Sequence, residues 1–159
     1  MRRPTLLIVG CGDVGMRVLK LLAPRVRVLA LTSQPARVSV LRAAGAVPLV
    51  ANLDQALTLQ RIGALADAVL HLAPPPTSGR DDPRTQALIR ALARGGRVRR
   101  LVYASTSGVY GDCAGARFDE TRAIAPATDR ARRRVDAEAR LRAFGRTHHV
   151  VVTLLRIPG

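Results

Sequence analysis

The chain has 159 residues, a length that allows one domain with a single hydrophobic core and no second domain of comparable size. Hydrophobic residues make up 48% and charged residues 23%, which excludes a disordered or fibrous chain, and the apolar runs fall well short of the roughly 18 residues that span a bilayer. The 26 Lys and Arg residues exceed the 11 Asp and Glu residues, for a formal net charge of +15.

The first predicted strand, residues 6–9, is followed by Gly10-x-Gly12-x-x-Gly15, which lies between this strand and a predicted helix over residues 14–22. In that position, Gly10 permits a tight turn, Gly12 lets the backbone approach a pyrophosphate, and Gly15 lets the helix pack closely on the strand. The N–H groups at the start of the helix would bind the anion. The motif therefore predicts a dinucleotide-binding site.

Strand and helix patterns alternate along the rest of the chain. The predicted strands are 6–9, 26–31, 47–50, 68–72, 101–104 and 150–155. The predicted helices are 14–22, 36–44, 57–65, 83–93 and 129–144, with Gly45 and Gly145 ending the second and the last of them. This alternation predicts a doubly wound parallel sheet covered by helices on both faces, the three-layer α/β/α Rossmann architecture. One long irregular stretch, residues 105–128, is typical of a functional loop.

The end of the second strand bears on the choice between NAD and NADP. An NAD site would place an Asp or Glu there to bind the ribose diol, about 20 residues after the glycines. This chain has Thr32 and Ser33 instead, with Arg37 a few residues further on. The missing acid removes repulsion against a 2′-phosphate, which Arg37 and the two hydroxyls could hold. The pattern favours NADP, with NAD as the alternative if Arg37 lies on a solvated helix face.

Three further segments follow the glycine motif along the chain. They are Asn52-Leu53-Asp54, Val69-Leu70-His71-Leu72-Ala73 and Ser105-Thr106-Ser107-Gly108-Val109-Tyr110-Gly111-Asp112. Together, and in this order, the four segments resemble those of the extended short-chain dehydrogenases/reductases, the NAD-dependent epimerase/dehydratase group, whose members act on nucleotide sugars. The last segment is the most specific, and the resemblance covers essentially the whole chain. It implies an NAD(P)-dependent oxidoreductase or epimerase with a nucleotide-sugar-like substrate.

The resemblance also implies roles for residues outside the glycine motif. Leu53 and Asp54 would lie by the adenine, and the segment that ends in Leu72 and Ala73 would pass under the cofactor. Thr106 falls at the family's catalytic Ser/Thr, so it is the predicted catalytic residue. No metal ligand is predicted.

The last predicted helix departs from the family pattern, which has Tyr-x-x-x-Lys there. The tyrosine exchanges a proton, and the lysine lowers its pKa and holds the nicotinamide ribose. The aligned residues in this chain are Arg130 and Arg134. An arginine has a pKa above about 12 and cannot exchange a proton usefully at neutral pH, so the usual mechanism is not supported. Arg134 could still reach the ribose or phosphates. The predicted cofactor-binding residues are Gly10, Gly12, Asp13, Val14, Gly15, Thr32, Ser33, Arg37, Leu53, Leu72, Ala73 and Arg134.

Members of the resembled family continue for about as many residues again and form a substrate lobe. We therefore expect residues 1–159 to form an NAD(P)-binding Rossmann domain that is either a truncated piece or a protein without that lobe. Two functions stay open: an NAD(P)-dependent oxidoreductase or epimerase, and a non-catalytic dinucleotide-binding sensor or regulatory module.

The excess of basic residues has two explanations, codon drift in a GC-rich genome and a polyanionic partner. A nucleic-acid-binding protein would cluster its cations on one element and add aromatic residues, which make up only 3% of this chain, so nucleic acid is not the expected partner. The densest cluster is either a solvated helix face or in part a cofactor contact. It consists of Arg130, Arg132, Arg133 and Arg134. Two cysteines without a CxxC pattern predict no zinc site and a cytoplasmic protein.

Overall fold

The computed structural model describes residues 3–158, so Met1, Arg2 and Gly159, at the limits of the predicted domain, lie outside the described residues. Within the described part, six strands alternate with helices. The strands are β1 Thr5–Val9, β2 Arg27–Thr32, β3 Val47–Val50, β4 Ala68–His71, β5 Arg100–Thr106 and β6 Val151–Ile157. The α-helices are α1 Asp13–Leu22, α2 Val38–Ala43, α3 Pro83–Gly95 and α4 Asp129–His148.

The six strands form one parallel sheet in the order β3-β2-β1-β4-β5-β6. β1 lies inside the sheet, and its last residue, Val9, aligns with Leu31 of β2 on one side and His71 of β4 on the other. The chain therefore winds outward from β1 in one direction and then from β4 in the other. This confirms the predicted doubly wound fold, in which the reversal of strand order between β1 and β4 opens a crevice at the carboxyl ends of the strands.

Side chains of β1 alternate between two hydrophobic cores, one on each face of the sheet. Leu7 belongs to a cluster that includes Leu88 of α3 and Leu141 of α4. Ile8 belongs to a second cluster, which includes Leu19 of α1. All five side chains are fully buried. The predicted three-layer α/β/α architecture is therefore confirmed, with α1 on one face of the sheet and α3 and α4 on the other.

The prediction of a helix over residues 57–65 is wrong. The hydroxyl of Thr58 donates to a backbone carbonyl three residues earlier, 2.7 Å away, so it competes with a regular helix for backbone partners. Gly63 presses so closely on α3 that a Cβ atom there would overlap the Ala91 carbonyl oxygen. These contacts leave two short turns of 3-10 helix in place of the α-helix. The turns are Ala56–Leu59 and Ile62–Ala64.

The prediction that Gly145 ends the last helix is also wrong, because α4 continues to His148. A Cβ atom on Gly145 would lie 2.9 Å from both the Val150 carbonyl oxygen and Cγ2 of Val152. The glycine therefore allows close packing of α4 against the chain that leads into β6. The residue that caps the helix is instead His149, whose φ of +55° is left-handed and whose N–H donates to the Gly145 carbonyl.

Smaller differences affect the other element ends. The predicted helix 36–44 is divided into a single 3-10 turn, Pro35–Arg37, and α2. β5 continues two residues further than predicted, to Thr106, and a 3-10 turn follows over Ser107–Tyr110, so the long irregular stretch is confined to residues 111–128. None of the helices in residues 3–158 combines the length and the apolarity needed to cross a lipid bilayer.

Candidate functional site

The turn between β1 and α1 has the geometry expected of its three glycines. Gly10 has a φ of +85°, and a Cβ atom there would lie 2.5 Å from the backbone nitrogen of Ala73. A Cβ atom on Gly15 would lie 3.3 Å from Cγ2 of Ile8, so this glycine packs α1 closely on β1. At Gly12, no atom of the described residues comes within 4 Å of the Cβ position. Gly10 and Gly15 are therefore closely packed, whereas Gly12 leaves open space beside the backbone.

The start of α1 offers backbone N–H groups rather than side chains. Gly12 is the N-cap residue and has no side chain to cap the helix. The Asp13 carboxylate binds Arg17 at 3.1 Å on the surface, and the Val14 side chain is exposed. The Asp13 and Val14 side chains therefore point to the surface, and only their backbone N–H groups, at the positive end of the helix dipole, are placed where an anion could bind.

A cleft of about 440 Å³ lies next to this turn, at the carboxyl ends of β1, β2, β3 and β4. Eight of the twelve predicted cofactor residues line it: Gly10, Gly12, Thr32, Ser33, Arg37, Leu53, Leu72 and Ala73. Lining residues that the sequence did not indicate as cofactor contacts include Gln34, Asn52, Pro74 and Arg84. The cleft is thus assembled from four strand ends and the start of α3.

The end of β2 presents a cation and no acid to the cleft. The Thr32 hydroxyl accepts a hydrogen bond from the backbone N–H of Gln34 at 3.1 Å, which holds the turn after the strand. Arg37 is half-buried, and its guanidinium has no hydrogen-bond or ion-pair partner among residues 3–158. Burial raises the pKa of the Cys11 thiol, and the positive charge of Arg37 partly offsets this rise, which places that charge near the glycine turn. The Arg37 guanidinium is therefore available to an anion.

An ion pair that the sequence analysis missed forms one wall of the cleft. Arg84, in the first turn of α3, binds both carboxylate oxygens of Asp54 at 2.7 Å, and its Nη1 donates to the Pro74 carbonyl oxygen at 3.3 Å. The hydrogen bond and charge of Arg84 hold the pKa of Asp54 below its usual value. The two residues are 30 positions apart, so no local spacing in the sequence indicates that they form a pair.

Two predicted residues, Thr106 and Arg134, lie near the end of β5 and do not line this cleft. The Thr106 Oγ1 atom accepts a hydrogen bond from the N–H of Gly108 at 3.2 Å. Nη1 of Arg134 donates to the Tyr103 hydroxyl at 2.9 Å and to the Ala104 carbonyl oxygen at 2.8 Å. The structure therefore places these two residues one strand beyond β4, the last strand of the cleft.

A second network that the sequence analysis missed supports the segment that carries Thr106. Glu138 of α4 is 0% exposed and accepts hydrogen bonds from Ser105 at 2.6 Å and from Nη2 of Arg156 at 2.8 Å. Burial raises the pKa of Glu138, but the hydrogen bonds from Arg156 and Ser105, with the nearby arginine charges, outweigh this and hold the pKa below its usual value. Arg156 also donates to the Tyr110 hydroxyl at 2.7 Å. The network ties β5, β6, α4 and the turn after β5 together.

His71, at the end of β4, is a buried neutral side chain. Its Nε2 atom lies 2.9 Å from Oγ1 of Thr85, and that hydroxyl donates to the Asp82 carboxylate at 2.7 Å. Burial, with a smaller contribution from the charge of Arg134, lowers the pKa of His71 to about 3. His71 is therefore a packed residue of the core.

A protein-family model matches nearly the whole chain. Residues 10–157 match the model of a family described as NAD(P)H-binding. None of the curated proteins matches the chain.

Many solved structures share the fold. A functionally unknown conserved protein from Silicibacter pomeroyi is 30% identical, with a TM-score of 0.77 over 96% of this chain and 52% of its own. A dTDP-glucose 4,6-dehydratase double mutant from Streptomyces venezuelae, solved with NAD, is 26% identical, with a TM-score of 0.79 over 98% of this chain and 55% of its own. A short-chain dehydrogenase/reductase superfamily protein from Agrobacterium tumefaciens, also with bound NAD, is 24% identical, with a TM-score of 0.80 over 96% of this chain and 48% of its own. The chain spans about half the length of each of these proteins.

Proposed function

Because the chain belongs to the NAD(P)H-binding family, we propose that the cleft beside the glycine turn binds a dinucleotide and prefers NADP to NAD. The fold is that of the short-chain dehydrogenases/reductases, which confirms the resemblance in the sequence. The observation that carries the choice of NADP is the unpaired Arg37 guanidinium at the end of β2, where no acid is present to bind a ribose diol.

In this proposal, the open backbone at Gly12 and the first N–H groups of α1 hold the pyrophosphate. Ser33 and Arg37 hold the 2′-phosphate of the adenine ribose through charge-assisted hydrogen bonds. The adenine lies between Leu53 and the wall formed by Arg84 and Asp54. This arrangement directs the nicotinamide toward β4 and β5, where Thr106 and Arg134 are found.

We expect NADPH to bind at least about tenfold more tightly than NADH, because a hydrogen bond to a charged group contributes roughly 1.5–3 kcal/mol. Arg37→Ala should remove the difference by weakening NADPH alone. Arg42→Ala is the matched control, since Arg42 is an exposed arginine of α2 outside the cleft lining. Calorimetric titration of both nucleotides into the three proteins measures the effect. Equal affinities in the parent chain would contradict the preference for NADP.

For the catalytic part of the proposal, the protein is an oxidoreductase or epimerase that resembles the enzymes that act on nucleotide sugars. A bound dinucleotide would supply hydride transfer, while Thr106 would polarise a hydroxyl or carbonyl of the substrate. The residue that should exchange a proton is replaced by Arg130, and Arg134 is already engaged with Tyr103 and Ala104. These contacts favour a second candidate, a sensor or regulatory module that binds the dinucleotide without turnover.

We expect the 159-residue chain to bind the dinucleotide but to show no hydride transfer or epimerisation of UDP-glucose above background. The reason is that a general acid typically contributes about 10² to 10⁴ in rate, and no phenol occupies its position. Product analysis after prolonged incubation with NADP⁺ or NAD⁺ checks this. Turnover that disappears in Thr106→Ala would contradict the sensor candidate and support the enzyme.

A further inference from the structure

Three arginines share the face of α4 that is turned toward the sheet. Arg130, Arg133 and Arg134 follow one another at spacings of three and four residues, which places them on one side of a helix. The same side continues into Ala137 and Leu141, both 0% exposed in the core. Because α4 returns the chain from the carboxyl end of β5 to the start of β6, its first turn lies at the carboxyl edge of the sheet. The arginines are therefore at the same edge as the cleft and Thr106.

Two of these arginines are fixed by the protein without being neutralised. Arg133 is only 7% exposed, and its Nη1 donates to the Gly79 carbonyl oxygen in the loop between β4 and α3 at 2.6 Å. Arg134 binds the end of β5 through the Ala104 carbonyl oxygen. The Nε atoms of both are buried and have no hydrogen-bond partner in the described part of the chain. Neither guanidinium forms an ion pair with a carboxylate of the described residues.

Arg130 adds a third charge in front of these two. It is the second residue of α4, it is exposed, and it has no partner among residues 3–158. The neighbouring carboxylate, Asp129, forms ion pairs with Arg132 at 2.7 Å and with Arg80 at 3.3 Å. A cation in the first turn of a helix is disfavoured by the helix dipole, so no local interaction explains its presence. The first two turns of α4 thus carry these three arginines, none of which forms an ion pair with a carboxylate of the described residues.

We propose that this arginine face binds an anionic group of the substrate, and that the substrate class is a small molecule with a carboxylate or a phosphate next to its reacting carbon. The inference rests on the proposed function, because the substrate would meet the dinucleotide at this edge of the sheet. Arg130 makes the accessible contact, as guanidinium pairs with both anions in a bidentate manner. Arg133 and Arg134 supply the fixed positive potential behind it.

The test is a calorimetric titration of inorganic phosphate, and separately of malonate, into the chain saturated with NADPH. The bound dinucleotide occupies the phosphate-binding turn, so any remaining anion site is elsewhere. We expect Arg130→Gln to weaken the binding of at least one anion by roughly tenfold. Arg146→Gln is the matched control, since Arg146 is an exposed arginine at the other end of α4, about 24 Å along the helix.

The control separates a site from the general attraction of a chain with a net charge of +15. Equal weakening in Arg130→Gln and Arg146→Gln would assign the binding to diffuse charge and overturn the inference. Absence of phosphate and malonate binding in the NADPH-loaded chain would overturn it as well. Failure of NADPH itself to bind, measured first in the same cell, contradicts the proposed function instead. If the inference holds, the tighter anion identifies which of the two groups the substrate carries.

Discussion

Gly10→Ala is expected to lower the free energy of unfolding by roughly 2–5 kcal/mol and to abolish dinucleotide binding. The left-handed φ of +85° is unfavourable for alanine by about 1–2 kcal/mol. The added methyl group would lie 2.5 Å from the backbone nitrogen of Ala73, and overpacking of this kind adds about 1–3 kcal/mol. Urea unfolding monitored by circular dichroism measures the loss, and calorimetry measures NADPH binding.

Gly12→Ala is the matched control for this prediction. Its methyl group would meet no atom of the described residues within 4 Å, and its φ of −79° is not left-handed, although its ψ of −149° lies outside the regions that alanine favours. The free energy of unfolding should therefore fall by about 1 kcal/mol, less than in Gly10→Ala, while NADPH affinity falls at least about tenfold because the methyl group fills the space of the pyrophosphate. An unchanged NADPH affinity in Gly12→Ala would place the dinucleotide elsewhere.

Glu138→Gln is expected to destabilise the fold by about 3 kcal/mol. The substitution removes the charge that neutralises Arg156, whose side chain is only 14% exposed, and breaking a buried pair in this way costs about 3–5 kcal/mol. We expect the lower end of that range because Arg142, the other partner, is more exposed. Glu120→Gln makes the same chemical change on an exposed side chain and should shift the urea midpoint little.

The same pair predicts how stability depends on pH. The pKa of Glu138 in the folded chain lies below its usual value, so the stabilisation is complete above the pKa of an unfolded glutamate, about 4.3. It is lost as the pH falls through the lower, folded pKa. The difference in unfolding free energy between the parent and Glu138→Gln should therefore be constant from pH 5 to 7 and shrink below about pH 4. A difference that stays constant into acid would show that the charge of Glu138 is not the cause.

Local sequence patterns were sufficient to predict the layered fold and the glycine turn between β1 and α1. Apolar runs and helical spacings indicate which face of each element is buried. Glycines indicate where the backbone is left-handed or closely packed against another segment. For this reason the order of strands and helices, and the separate roles of Gly10 and Gly15, could be predicted before any contact was known.

Tertiary contacts decided the features that the sequence analysis missed. Gly63 and Gly145 lie where another segment approaches too closely for a side chain. At Gly63, a short 3-10 turn replaces the predicted helix, and at Gly145, α4 continues beyond its predicted end. The pairs of Arg84 with Asp54 and of Arg156 with Glu138 join residues 30 and 18 positions apart, and opposite charges in a sequence do not reveal which of them meet.

The arginines of α4 show most clearly which features the sequence determines and which depend on tertiary contacts. Helical spacing predicted that Arg130 and Arg134 share one helix face, but a charged face on a helix is usually solvated. Only the packing of α4 on β5 and on the loop that contains Gly79 turned that face inward and left two guanidiniums without carboxylates. The sequence by itself therefore determined the fold and the position of the glycine turn. Long-range packing alone decided which arginines form ion pairs with carboxylates and which arginines have no such partner in the described residues.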